Sequence, residues 1–172
     1  IRSNPSHMES LKTENINPID LIIVNFYPFE KVIKSENISF QEVIENIDIG
    51  GPTIVRAAAK NFQDVSVIVD TSDYKKIIDQ ISGNSLEVDR EFNYSLCKKA
   101  YSYVAKYDAA ISNHLGILNT DNTKNKIPDT LTLHYKKSFN LRYGEPPHQA
   151  GAFVIQEDLK EPSISKSKQI QG

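Results

Sequence analysis

Cysteine occurs once in the 172 residues, at Cys97, so no internal disulfide framework and no multi-cysteine metal cluster can form within the chain. That scarcity fits a reducing compartment, and Cys97 reads as a small buried hydrophobe. An excess of one charge is also missing. The 20 basic residues nearly balance the 22 acidic ones, which leaves no broad positive field for a phosphate backbone or an anionic membrane. Neither nucleic acid nor membrane is an expected partner. The apolar run Leu21–Val24 falls far short of the roughly 20 residues that cross a bilayer, and no basic-then-apolar leader opens the chain. A soluble cytoplasmic protein is expected. There is no Gly-x-Gly-x-x-Gly fingerprint, no phosphate-binding P-loop and no nucleophile elbow. His7, His114, His134 and His148 show no ligand spacing, so no metal site is expected. No internal repeat or low-complexity tract occurs.

What is present suffices for a core: 39% of residues are apolar, enough for one sizeable domain or for one domain and part of another. Asn4 before Pro5 predicts a capped helix carrying Met8 and Leu11. The run from Ile19 to Phe26, β-branched and aliphatic with almost no alternation, predicts a strand covered on both faces of a parallel sheet, stopped by Pro28. Ser39 and Glu42 have capping-box spacing and predict a helix over 40–47, its buried stripe being Phe40, Val43, Ile44 and Ile47. Asp48 to Gly51 break that helix, and Pro52 predicts the first residue of another, running to Lys60.

Val65 to Val69 predicts a second buried strand, and Ser72 or Asp73 a cap for a helix ending near Gly83. From Val88 to His114, Phe92, Leu96, Ala100, Tyr103, Tyr107 and Ala110 recur every three or four residues, as in one long amphipathic helix or two joined ones. Its tyrosines read as packing. Gly116 to Asp129 has linker composition, and Leu131, Leu133 and Tyr135 alternate with Thr132, His134 and Lys136 as a half-exposed strand does. Alternating strands and helices predict an α/β architecture whose ligands gather at the carboxyl ends of the strands, which places "NFYPF" on the ligand edge.

One stretch, "ENIDIGGPTIVRAAAKN", gathers chemistry-bearing residue types. Its Gly-Gly pair admits close backbone approach, and the following helix offers unpaired amides with partial positive charge. Asp48 reads as a residue that favours turns and helix starts, or as a site carboxylate. Lys60 reads as a cation complementing the helix C-terminus, or as a second site residue. A straight helix from Pro52 to Lys60 separates its ends by roughly 12 Å, so the two meet only if the chain before Pro52 folds back.

Together, "PIDLIIVNFYPFEKV", "ENIDIGGPTIVRAAAKNFQDVSVIVD" and "LRYGEPPHQ" resemble, in order and spacing, the bifunctional purine biosynthesis family, which joins IMP cyclohydrolase to AICAR transformylase. "YVAKYDAAISNHL" looks like that family's helix before its interdomain connection. The resemblance implies an internal fragment. The cyclohydrolase part would occupy residues 1–115 as a partial methylglyoxal-synthase-like parallel sheet flanked by helices. A linker at 116–138 and the start of a cytidine-deaminase-like transformylase domain at 139–172 would follow.

The same resemblance implies ring closure of formyl-AICAR to IMP with loss of water, with no cofactor for that step. It also implies 10-formyltetrahydrofolate as co-substrate for formyl transfer to AICAR, and a homodimer in the full-length protein. By family role Tyr27 is the oxyanion donor, Asp48 the general base and Lys60 a proton-shuttling partner, while Asn25, Gly50 and Gly51 hold the base. Arg142, Tyr143 and His148 bind AICAR. Phe62 and Pro147 stand where the family usually has histidine and asparagine. Lacking the family's earlier phosphate-binding loop, the chain alone is expected to be inactive. The alternative is a non-catalytic ligand-sensing domain of the same fold.

Overall fold

The structure is a computed structural model that describes residues 2–83, 87–156, 162–167 and 170; of the polar terminal stretch, residues 168, 169, 171 and 172 lie outside the described residues. The chain divides into two compact units, residues 1–131 and 132–172.

The first unit is α/β. Helix α1 (Pro5–Thr13) opens as the sequence predicts: the Asn4 side chain accepts the Ser6 N–H, and Pro5 sits where its missing N–H costs no helical bond. Strand β1 (Leu21–Ile23) pairs in parallel with β2 (Ser66–Ile68), Leu21 opposite Ser66 and Ile23 opposite Ile68. A parallel pair needs a crossover, and residues 24–65 supply it with α2 (Phe29–Val32), α3 (Phe40–Glu45) and α4 (Gly50–Lys60).

β2 is fully buried, but the expectation that the first strand is covered on both faces needs correction. Ile19 and Ile23 are 60% and 52% exposed. Leu21, Ile22 and Val24 are half-buried against the core, while Ile23 and, before the strand, Ile19 stay largely exposed. Nor was α2 anticipated; it follows Pro28 directly.

The capping box of α3 is complete: Ser39 Oγ accepts the Glu42 N–H, and the Glu42 carboxylate accepts the Ser39 N–H at 2.9 Å. The helix ends at Glu45, with Val43 fully buried and Phe40, Ile44 and Ile47 half-buried. Helix α4 begins at Gly50, two residues before the predicted Pro52. Proline is tolerated in a first turn because the N–H groups there have no intrahelical acceptor.

A tight turn over Thr71–Asp73, capped by the Asp70 carboxylate on the Ser72 N–H, leads into α5 (Tyr74–Ile81). The long periodic segment forms a single helix, α6 (Arg90–Leu115), started by Asp89 accepting the Phe92 N–H. Phe92, Leu96, Ala100, Val104 and Tyr107 of α6 pack with Val55, Ala58 and Ala59 of α4 and with Val67 and Ile68 of β2. The alanines bring the two helices close, and Cys97 is buried within this core. Residues 116–131 lie with this first unit: Asn122, at φ 68°, accepts the Phe40 N–H on its side-chain oxygen at 2.6 Å.

In the second unit, β3 (Lys136–Asn140) pairs antiparallel with β4 (Ala152–Ile155), and the Phe139 and Phe153 rings stack with centroids 5.2 Å apart. The strand predicted from the alternation of residues 131–136 is therefore displaced. Among the described residues no ladder includes residues 131–135, and the pairing runs from Lys136 opposite Ile155. A strand exists where its partner's carbonyls and amides are, whatever its own alternation.

Lys99 ties α6 to the turn before α5, with its ammonium 2.8 Å from Asp70 and 2.6 Å from Asp73. Hydrogen bonding from Lys99, then from the Ser72 backbone, holds the Asp70 carboxyl down to about 2. A carboxyl lowered by folding contributes stability above its unfolded value near 3.8, and that contribution is lost as pH falls toward 2. Urea unfolding should therefore separate wild type from Lys99→Met at pH 6, with the difference shrinking between pH 4 and pH 2. In the centre of the core, Leu96 is 2% exposed, and Leu96→Ala should lower the unfolding free energy by about 2–5 kcal/mol in the same assay.

Candidate functional site

The carboxyl end of β1 runs into Asn25, Phe26 and Tyr27, and the turn before α4 carries Asp48; these two segments meet through one side chain. Asp48 Oδ1 accepts the Gly51 N–H at 2.8 Å, and Oδ2 accepts the Tyr27 N–H at 3.2 Å. The carboxylate thus serves as an acceptor for the first turn of α4, the ordinary role of an aspartate there, and also ties the strand end to it. The partial positive charge at the start of this 11-residue helix favours an anion in that place. A carboxylate has about four acceptor directions, so two backbone bonds leave capacity for a ligand proton.

Tyr27 is 57% exposed, and Asn25 and Gly50 are exposed beside it. The structure brings together the Tyr27 backbone, Asp48 and Gly51. It does not bring Lys60 to them. Lys60 is the last residue of α4, exposed, with no hydrogen-bond or ion-pair partner among the described residues. Asp48 is held at the opposite end, and nine residues of rise put Lys60 about 13 Å along the axis from Gly51. Near that end, Phe62 packs on Tyr94 with ring centroids 5.2 Å apart, and Arg56 lies over the Tyr101 ring.

Arg142, Tyr143 and His148 belong to the second unit, all exposed on the connection between β3 and β4. Three backbone bonds shape that loop: Leu141 N–H to Gly151 O, Gly144 N–H to Gln149 O and Gln149 N–H to Pro146 O. The three side chains are therefore carried by one hairpin.

Two contributors escaped the sequence reading. Tyr107, taken there as packing, accepts the Asp48 N–H on its hydroxyl at 2.9 Å while 8% exposed. Burial pushes its phenol up; the Asp48 amide pulls it partly back, and the Asp48 charge adds to the rise. The phenol therefore stays protonated at neutral pH. Phe26, also buried, packs against Tyr103 and Tyr107 beneath the turn. A hydroxyl inside an otherwise apolar stripe was the available signal, but linear spacing does not connect position 107 to position 48.

A model of the AICARFT/IMPCHase bienzyme matches residues 58–172, and a model of the MGS-like domain matches residues 2–53. The bifunctional purine biosynthesis protein PurH of Magnetococcus marinus is 40% identical over 173 residues, which cover 100% of this chain and 32% of that protein. The protein of the same name from Polynucleobacter necessarius subsp. necessarius is 41% identical over 174 residues, 99% of this chain and 33% of its own. The chain spans about a third of the length of these curated relatives. The crystal structure of ForH is similar with a TM-score of 0.55 at 27% identity, over 66% of this chain and 58% of that chain. Asn25, Tyr27, Asp48, Gly50 and Gly51 fall in the MGS-like match, and Lys60, Arg142, Tyr143 and His148 in the bienzyme match. Matched over about two thirds of its residues, this chain belongs to the AICARFT/IMPCHase bienzyme family.

Proposed function

We propose that these residues supply the base-binding side of an IMP cyclohydrolase site and the opening segment of an AICAR transformylase, in purine nucleotide synthesis. The observation that carries this reading is the Asp48 carboxylate, held by the Tyr27 and Gly51 amides at the carboxyl end of a parallel strand. Ring closure joins the carboxamide nitrogen of formyl-AICAR to its formyl carbon and expels water. That step needs a base for the nitrogen proton, a donor for the oxyanion, and an acid for the departing hydroxyl.

In this assignment Asp48 takes the proton, the exposed Tyr27 phenol donates to the oxyanion, and Asn25 with the Gly50 and Gly51 backbone seats the heterocycle. Lys60, remote from Asp48, relays a proton through substrate or solvent. Arg142, Tyr143 and His148 contact AICAR, whose formyl group comes from 10-formyltetrahydrofolate. A cytoplasmic homodimer is part of the same reading. The ligand-sensing alternative is not favoured, because the bienzyme match runs on through the hairpin loop to residue 172.

The two glycines play different parts. A Cβ on Gly51 would lie 2.6 Å from Asp48 Oδ2 and 2.8 Å from the Phe26 ring, whereas one on Gly50 meets nothing within 4 Å. Neither needs a left-handed backbone, so space alone separates them.

To test the assignment, the 172 residues can replace the matching 173 of the Magnetococcus marinus relative, with IMP formation followed by absorbance. The chimera should close the ring, and Asp48→Asn should lower kcat at least about 100-fold, a loss typical of removing a general base. A folded chimera without turnover, or full turnover by Asp48→Asn, overturns the assignment. In the same protein Gly51→Ala should cost about tenfold or more in turnover, since its Cβ displaces the carboxylate.

A further inference from the structure

We infer that Tyr107 is a positioning residue that sets the place of the Asp48 carboxylate, a role that rests on the proposed cyclohydrolase reading only for its kinetic consequence. One side chain reaches both segments of the site. The Tyr107 hydroxyl takes the Asp48 N–H at 2.9 Å, fixing the backbone of the turn. Its ring meets Phe26 edge-on with centroids 5.0 Å apart and Phe29 at 6.3 Å, the residues on either side of the Tyr27–Pro28 pair.

These contacts come from the interior of α6, a 26-residue helix whose other buried positions, Val104 and Ala100 among them, lock it against the core. The turn before α4 is otherwise held by the Asp48 carboxylate on the Tyr27 and Gly51 amides and by Ile47 against the core, while Asp48 is half-buried and Ile49 is 73% exposed. The Tyr107 hydroxyl is thus the contact by which α6 holds the backbone of that turn, beside the two bonds its carboxylate makes. Deleting that oxygen leaves the ring packing in place and the Asp48 N–H without its acceptor.

Tyr103 provides the internal control. It lies one turn earlier and packs on the same Phe26 ring at 4.7 Å, yet its hydroxyl takes no part in the Asp48 bond. Packing is shared by both tyrosines; the bond to the turn is made by Tyr107.

Amide hydrogen exchange on this chain, comparing Tyr107→Phe with Tyr103→Phe, separates positioning from packing. Tyr107→Phe should speed exchange of the Asp48 and Gly51 amides about tenfold or more, while the sheet amides of Val24 and Ser66 keep wild-type protection. Tyr103→Phe should leave all four unchanged. Equal rates at Asp48 and Gly51 in Tyr107→Phe, or a loss that extends equally to Val24 and Ser66, would overturn the inference. In the active chimera, Tyr107→Phe should reduce kcat for ring closure about tenfold with KM within twofold; an unchanged kcat, or a change confined to KM, would also overturn it. Failure of the unsubstituted chimera to form IMP would refute the proposed reaction alone, since the exchange comparison is made without substrate.

Discussion

The carboxylate of Asp48 fastens the end of the first strand to the first turn of α4, and the candidate site exists only because it does. Each oxygen accepts a backbone amide, one from Tyr27 and one from Gly51, so two segments 21 residues apart at their joining atoms are held by one side chain. A carboxylate suits that place because the helix start offers N–H groups without intrahelical acceptors and a partial positive charge. It also leaves unused lone pairs, which allows a structural acceptor to act on a bound molecule as well.

The rest of the first unit stiffens the frame around that junction. β2 is buried throughout, and α6 lies along both it and α4 with a continuous apolar stripe from Phe92 to Tyr107. Inside that stripe the polar groups are paired, as Ser66 with Asn93 at 2.6 Å, or made neutral by their surroundings. Further along α6, His114 illustrates the second case: burial and then the charge of Lys124 pull its imidazole down, its Nε2 has no hydrogen-bond partner among the described residues, and its ring lies edge-on to Phe29. By contrast β1 is half open, with Ile23 exposed in it and Ile19 exposed just before it.

Much of this was legible along the chain. The Asn4 cap, the Ser39–Glu42 box and the three-and-four spacing from Phe92 onward are local signals, and each produced the element it implied. Local signals were weaker where long-range partners decide. Alternation over residues 131–135 suggested a strand, yet pairing with β4 placed the ladder at 136–140. Within the site, the glycines, Asp48 and Tyr27 stood out by residue type and order. Tyr107 did not, since its spacing matches its packing neighbours and only its hydroxyl differs.

By itself, the sequence determined the capped starts of α1 and α3, the apolar stripe of α6 and the family, because capping and periodicity act over a few residues and long motifs are specific. Tertiary structure alone decided that the Asp48 carboxylate receives the Tyr27 and Gly51 amides and that Tyr107 reaches the same turn. Hydrogen bonds between residues 21 and 59 positions apart depend on how strand and helices pack, and no local spacing encodes that.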